Sequence, residues 1–372
     1  MAVASALSAG LEAGQTAARL AAGLRNEDGV VMTAERASIM GVRGLVLPPG
    51  LFRLSLAAAV LLSHLSRFDV GRLAVLLFFY LSGYWVTRVW QAKFGPRATL
   101  RFYAARYLRI APLYLLALFA AAMLNGIRIA PENIVLFGTA TTGHDPIGVS
   151  WSLDIELQFY LLLPALVLLL NRVNSMAVIA LSLVTAAVGI ALEATVGLHT
   201  VLKFLPAFLL GLLTFTRRWR PGQLTANLSL GAFVVMTAIT AFTPFLDKKT
   251  PDPFDQDIWS FFWMLPLLPY VARSLEVRST ALDRHAGNLS YPLYLVHVPM
   301  VNLLQAHMAF GVAGKLAAAV LSTLAALALY VVVDRPVDRW RVRLTEGGPP
   351  RSPEPGLSPT PETHPVAERS GP

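Results

Sequence analysis

The chain contains no cysteine, which excludes disulfide staples, thiol nucleophiles and thiolate metal sites. Charge is scarce as well: Asp, Glu, Lys and Arg make up 14% of the 372 residues. Seven histidines are present, yet none stands in an HExxH pair, no GxSxG elbow occurs, and GVAGK at 311–315 is too short for a phosphate loop. Hydrolase and P-loop ATPase readings therefore find no support. No metal and no tightly bound cofactor are expected.

What the chain has in abundance is apolar surface. Hydrophobic residues reach 55% and the mean hydropathy is +0.57, the composition of a polytopic membrane protein. A helix crossing ~30 Å of hydrocarbon needs about 20 mostly apolar residues. Ten such stretches begin near 50, 73, 107, 152, 176, 201, 226, 258, 288 and 313. They are too long and too uniformly apolar for barrel strands, so the fold class expected is an all-α membrane protein of about ten transmembrane helices.

The net charge of +9 does not point to nucleic acid, because the basic residues lie in short loops between apolar stretches. They report orientation instead. With the N-terminus inside, the cytoplasmic loops and ends receive 23 Lys or Arg and the outer loops only 7, with Arg53 inside a span. An N-in, C-in topology follows. Residues 1–45 are Ala-rich with scattered charges and are expected to be poorly structured or weakly helical; 46–343 form the membrane domain; 344–372, where eight prolines fall in the last 26 residues, are expected to be a disordered tail.

Polar groups inside the apolar stretches are the candidate functional residues. In RLSLAAAVLLSH, Arg53 and His64 are eleven residues apart, a turn of 1100° that brings them onto one helix face within about 20°, roughly 16 Å apart along the axis. Either alone reads as a snorkelling arginine or a packed histidine; together they favour a functional lining. Ser82, beside Gly83 in the second stretch, is a small break where a helix or ligand can approach. Arg106 and Arg109 sit three apart at the cytoplasmic boundary, as a phosphate clamp requires. Glu156, behind Asp154 in SWSLDIELQFYLLLP, needs a histidine or arginine partner from another helix. In GNLSYPLYLVHVPM, Ser290 with Tyr294, and Tyr294 with His297, fall at helical neighbour spacings, and Tyr291 lies beside them.

These segments, with DRP at 334–336 after them and in the same order along residues 50–340, resemble the membrane acyltransferase family 3. The resemblance implies ten helices, a cytoplasmic acyl-CoA (acetyl-CoA) donor, and transfer to a hydroxyl, most often of a carbohydrate. It makes His64 the general base, gives Arg53, Arg106 and Arg109 the donor, and lets Glu156 orient His64 or stabilise its imidazolium. Ser82, Tyr291, Tyr294 and His297 are further pocket candidates. Around Arg53 the chain departs from the family pattern, with Phe52 and Leu54 where an aspartate and glycines are usual, and the loop SRFDVGR is short.

The expectation is an O-acyltransferase of the inner (plasma) membrane acting on a cell-envelope or exported polysaccharide or its lipid-linked precursor. Its partners would be acyl-CoA, a carbohydrate or glycolipid acceptor, membrane lipid and glycan assembly machinery. The alternatives are O-acylation of a secreted small metabolite or, from another class, a transporter of an anionic solute, which should show paired broken helices. Single cysteines introduced at positions 172, 218 and 345 should be shielded from an impermeant external thiol reagent, whereas one at 250 should react. Labelling of all four from outside contradicts the N-in topology.

Overall fold

Pro48 and Pro49 supply the fixed φ and the missing amide that suit a helix start, and from them runs α1 (Pro49–Leu65). The computed structural model describes residues 46–170, 172–242 and 256–346. Then follow α2 (Gly71–Val89), α3 (Thr99–Asn125), the short α4 (Pro131–Val135) and α5 (Thr139–Thr142), and α6 (Ser150–Leu170). After them come α7 (Ser175–Val196), α8 (Val201–Thr216), α9 (Gln223–Ala241), α10 (Gln256–Met264) and α11 (Leu268–Ser274). The last three are α12 (Ala281–His307), α13 (Val312–Leu329) and α14 (Arg335–Glu346). No strand occurs among the described residues. The expected N-terminal segment and the tail from 347 onward lie outside the described residues, while residues 344–346 continue α14.

Helix ends follow local chemistry. Asn174 accepts from the Ala177 amide at 2.8 Å to start α7, and Gly126 and Gly197, at φ 66° and 68°, end α3 and α7 in the left-handed region. The start of α6 is capped by Asp145, which accepts from the amides of Ser150 and Trp151 at 3.0 and 3.2 Å. Asp154, in the first turn and a half of α6, accepts from the Ala140 amide of α5 at 2.9 Å.

Six helical segments are long and apolar enough to cross a membrane: 71–94, 96–125, 150–170, 175–196, 223–241 and 312–345. α1 and α8 are apolar but shorter. α10 and α11 are separated by a 3-10 turn at Leu265–Leu267, and α12 carries too many polar groups for the same test. Helical bodies thus stand at all ten expected stretches, with six meeting the length and apolarity of a span. α7, α9 and α13 expose most of their apolar side chains, whereas α2 buries most of its own, which puts α2 inside the bundle and the others at a lipid-like surface.

Glycines set the central crossings. A Cβ on Gly83 would overlap the Phe208 carbonyl, and one on Gly211 would overlap the Tyr80 carbonyl, so α2 and α8 touch backbone to backbone. Around them Phe79, Phe159 and Phe208 stack, with centroids 4.5 and 4.1 Å apart. α2 runs unbroken through Ser82 and Gly83, so the small pair is a place of close approach and not a helix break. α1 is seated on α12 in the same manner, because Gly287 would meet the Gly50 Cα at 2.9 Å if it carried a Cβ, and the Asp283 side chain accepts from the Leu51 amide at 2.8 Å.

Gly83→Val and Gly211→Val should each destabilise the protein by at least about 1–3 kcal/mol, the usual range for overpacking. The measurement is thermal unfolding in detergent, with Gly231→Val, where nothing lies within 4 Å, as the tolerated control. Equal melting temperatures for all three would remove the crossing as the reason for these glycines.

Candidate active site

Three arginines from two helices converge on one cavity. It has a volume of about 530 Å³, within the usual range for ligand pockets. Arg53 of α1, Ser82 of α2, Arg106 and Arg109 of α3, and Glu156 and Tyr160 of α6 share its wall with Tyr291 and Tyr294 of α12. Seven of the nine residues singled out in the sequence therefore line a single space. The remaining two, His64 and His297, stand elsewhere.

The charged groups in the wall are matched unequally. Glu156 Oε1 accepts from Ser82 Oγ and from Tyr160 OH, both at 2.6 Å, and Arg53 is among the cations within its electrostatic reach. Arg109 Nη1 donates to Asp334 Oδ1 at 2.7 Å and its guanidinium lies over the Tyr291 ring, 5.5 Å from the centroid. Tyr291 is itself fixed by donating to the Ile110 carbonyl at 2.8 Å. By contrast, Arg53 and Arg106 form no hydrogen bond or ion pair among the described residues, and Arg106 Nε is buried without an acceptor. Of the two arginines expected to form a clamp, Arg109 is largely committed to Asp334 and Arg106 is not.

The histidines form a second centre. The His64 and His297 ring centroids are 5.0 Å apart. His64 is the penultimate residue of α1 and exposed, whereas His297 is fully buried. His297 Nδ1 lies 3.2 Å from the Leu293 carbonyl, and its Nε2 is buried with no hydrogen-bond partner among the described residues. A proton on Nδ1 satisfies that carbonyl and leaves the ring neutral.

Helix geometry gives the separation of the two centres. Ser63 lies against Gly71, since a Cβ there would be 2.9 Å from its hydroxyl, so α1 and α2 run antiparallel from that end. Arg53 and Ser82 each lie ten or eleven residues from this contact, at about the same depth, some 15–16 Å from the histidine end. Glu156, held by Ser82, belongs to the arginine level; its placement favours a role toward Arg53 over the expected one toward His64. Tyr294 joins the levels: it lines the cavity, its hydroxyl is 2.6 Å from Ser152 Oγ, and its ring is 6.0 Å from that of His297.

Tyr160 and Asp334 were not singled out as site residues, although both lay in motifs that were. Tyr160 is one turn after Glu156, a spacing that could have revealed it. Asp334 is 225 positions from Arg109, and only the DRP segment hinted at it. Asp334→Asn should cost about 3–5 kcal/mol, because a buried guanidinium would lose its partner. Pairing it with Arg109→Met should recover most of that loss. Thermal unfolding of the single and double variants checks this, and a double variant no more stable than Asp334→Asn would remove the ion pair as the cause.

The profile of the Acyl_transf_3 family, described as an acyltransferase domain, matches residues 44–334. No curated protein and no solved structure matches the chain. The match runs from α1 to the Asp334 that holds Arg109, and so covers the three arginines, Glu156 and both histidines, stopping just before α14. With an all-helical membrane fold beneath it, the chain belongs to the membrane-bound acyltransferase family 3.

Proposed function

We propose that this acyltransferase is an O-acyltransferase of the inner (plasma) membrane, with ten spans and both termini cytoplasmic. It would move an acyl group, acetyl in the simplest case, from acyl-CoA to a hydroxyl of an envelope or exported polysaccharide or its lipid-linked precursor. The observation that carries this reading is the order of groups along α1: a guanidinium level with unmatched Arg53 and Arg106, then a histidine pair about 16 Å farther on. A coenzyme A thioester has that order. About a dozen bonds of ~1.5 Å separate its diphosphate from its sulfur, roughly 15 Å when extended, so phosphates held at Arg53 and Arg106 leave the thioester at the histidines.

In that arrangement neutral His64 takes the proton of the acceptor hydroxyl as its oxygen attacks the thioester carbonyl. The carbon–sulfur bond breaks, coenzyme A leaves as the thiolate, and the imidazolium returns its proton to the sulfur. Exposure of His64 at the end of α1 opposite Arg53 suits an acceptor that arrives from the side opposite the donor. His297 would hold the base, Glu156 would hold Ser82 and Tyr160 around the donor, and Arg109, fixed by Asp334, would support the phosphates with its remaining donors.

His64→Ala should lose transfer by about 10²–10⁴-fold if general-base catalysis is its role, while still binding acyl-CoA. Arg53→Ala and Arg106→Ala should instead raise the apparent KM for acyl-CoA, with Lys a poor substitute at Arg106 where contact is bidentate. The assay is acyl transfer in reconstituted vesicles together with mass spectrometry of envelope glycans from cells with and without the protein. A His64→Ala protein as active as the parent, or unchanged donor dependence in both arginine variants, would overturn the assignment.

A further inference from the structure

Along the cavity, anions and cations do not balance. Of its carboxylates, Glu156 accepts from Ser82 and Tyr160 at 2.6 Å, Asp334 is matched by Arg109 at 2.7 Å and Asp338 by Arg341 at 2.8 Å, three anions against six lining arginines. Arg335 and Arg339 also line the cavity, and neither has an ion pair or hydrogen bond among the described residues. They lie one turn apart on α14, about 6 Å along its axis and on one face. Both are exposed, as is His285 beside them, which makes this end the mouth. A π turn at Tyr330–Asp334 leads into the pair, with the Arg335 guanidinium 5.8 Å from the Tyr330 ring centroid and Tyr330 OH 2.6 Å from His285 Nδ1.

There are thus two zones of unmatched guanidinium: Arg53 and Arg106 deep in the cavity, Arg335 and Arg339 at its mouth. The proposed function, on which this inference rests, puts the donor's diphosphate at the deep zone with the thioester pointing to His64. The nucleoside end must then point the other way, toward the mouth. We propose that Arg335 and Arg339 bind the 3′-phosphate on the donor's ribose, so that the enzyme selects thioesters of coenzyme A over thioesters that lack this phosphate. Two guanidinium groups at neighbour spacing suit a phosphate that offers several acceptor oxygens. The bland explanation, cations that fix membrane orientation, requires positive charge but no arrangement, and the two accounts separate by experiment.

The test compares an acyl-CoA with its 3′-dephospho form as donors for the full-length protein in vesicles. The parent should use acyl-CoA at least about tenfold better in kcat/KM, mainly through KM, as expected for loss of charge-assisted hydrogen bonds. Arg335→Gln with Arg339→Gln should bring acyl-CoA down to the dephospho level and leave the dephospho donor unchanged. Equal use of both donors by the parent, or a variant that slows both alike, overturns the inference while leaving the acyltransferase reading intact. Failure of any acyl-CoA to act as donor overturns both. Should the glutamine pair not be made, Arg335→Lys with Arg339→Lys keeps the charge that orientation needs: discrimination reduced at least threefold supports the phosphate site, and undiminished discrimination removes it.

Discussion

Dehydrating a guanidinium inside an apolar bundle is the constraint on which the rest of this structure depends. An isolated ion in such surroundings is costly, and proteins keep one only when it is paired or faces a polar space. Arg109 is kept by pairing, through Asp334 and the Tyr291 face. Arg53 and Arg106 are kept by facing a space, and that space is the cavity. The bundle therefore cannot close fully around α1, α3, α6 and α12 without burying two unmatched cations. The cavity is a consequence of its own lining.

Close helix contact around this opening makes the arrangement rigid. Glycine-mediated crossings hold α2 to α8 and α1 to α12 with backbones touching, and the stacked Phe79, Phe159 and Phe208 join α2, α6 and α8. At the histidine end, charges close the bundle in another way. Lys203, a buried cation, stands 2.8 Å from both Glu193 and Asp257, and Arg72 reaches Asp257 at 3.3 Å while covering the Trp151 ring at 4.6 Å. Arg72 and Lys203 are thus the ties between α2, α7, α8 and α10.

Much of this was legible in the sequence because local rules govern it. Apolar length located the helices, and the expense of a polar group in an apolar stretch marked Arg53, Arg106, Glu156 and Ser82, which do meet. Pairings across the chain were not legible, since periodicity reports only near neighbours. Nothing local says that Arg109 belongs to Asp334, that Asp283 caps α1, or that His64 stands beside His297. Span number was legible only in part: α1 and α8 are short, and α12 devotes much of its surface to the cavity and to α1, so neither length nor apolarity identifies them as the other helices are identified. The Ser82–Gly83 pair was legible as a place of close approach but not as a partition, in which glycine serves a neighbouring helix and serine serves the site.

The seat of α1 on α12 also bears on how the chain is made. Leu51 and its cap Asp283 are 232 positions apart. At about 5–20 residues per second of synthesis, roughly 12–46 s pass between the two emerging from the ribosome. Throughout that interval a 17-residue helix bearing an arginine must wait with its amide terminus uncapped and no partner for its glycine face. Among the described residues, the helix translated first is thus among the last whose contacts can be completed.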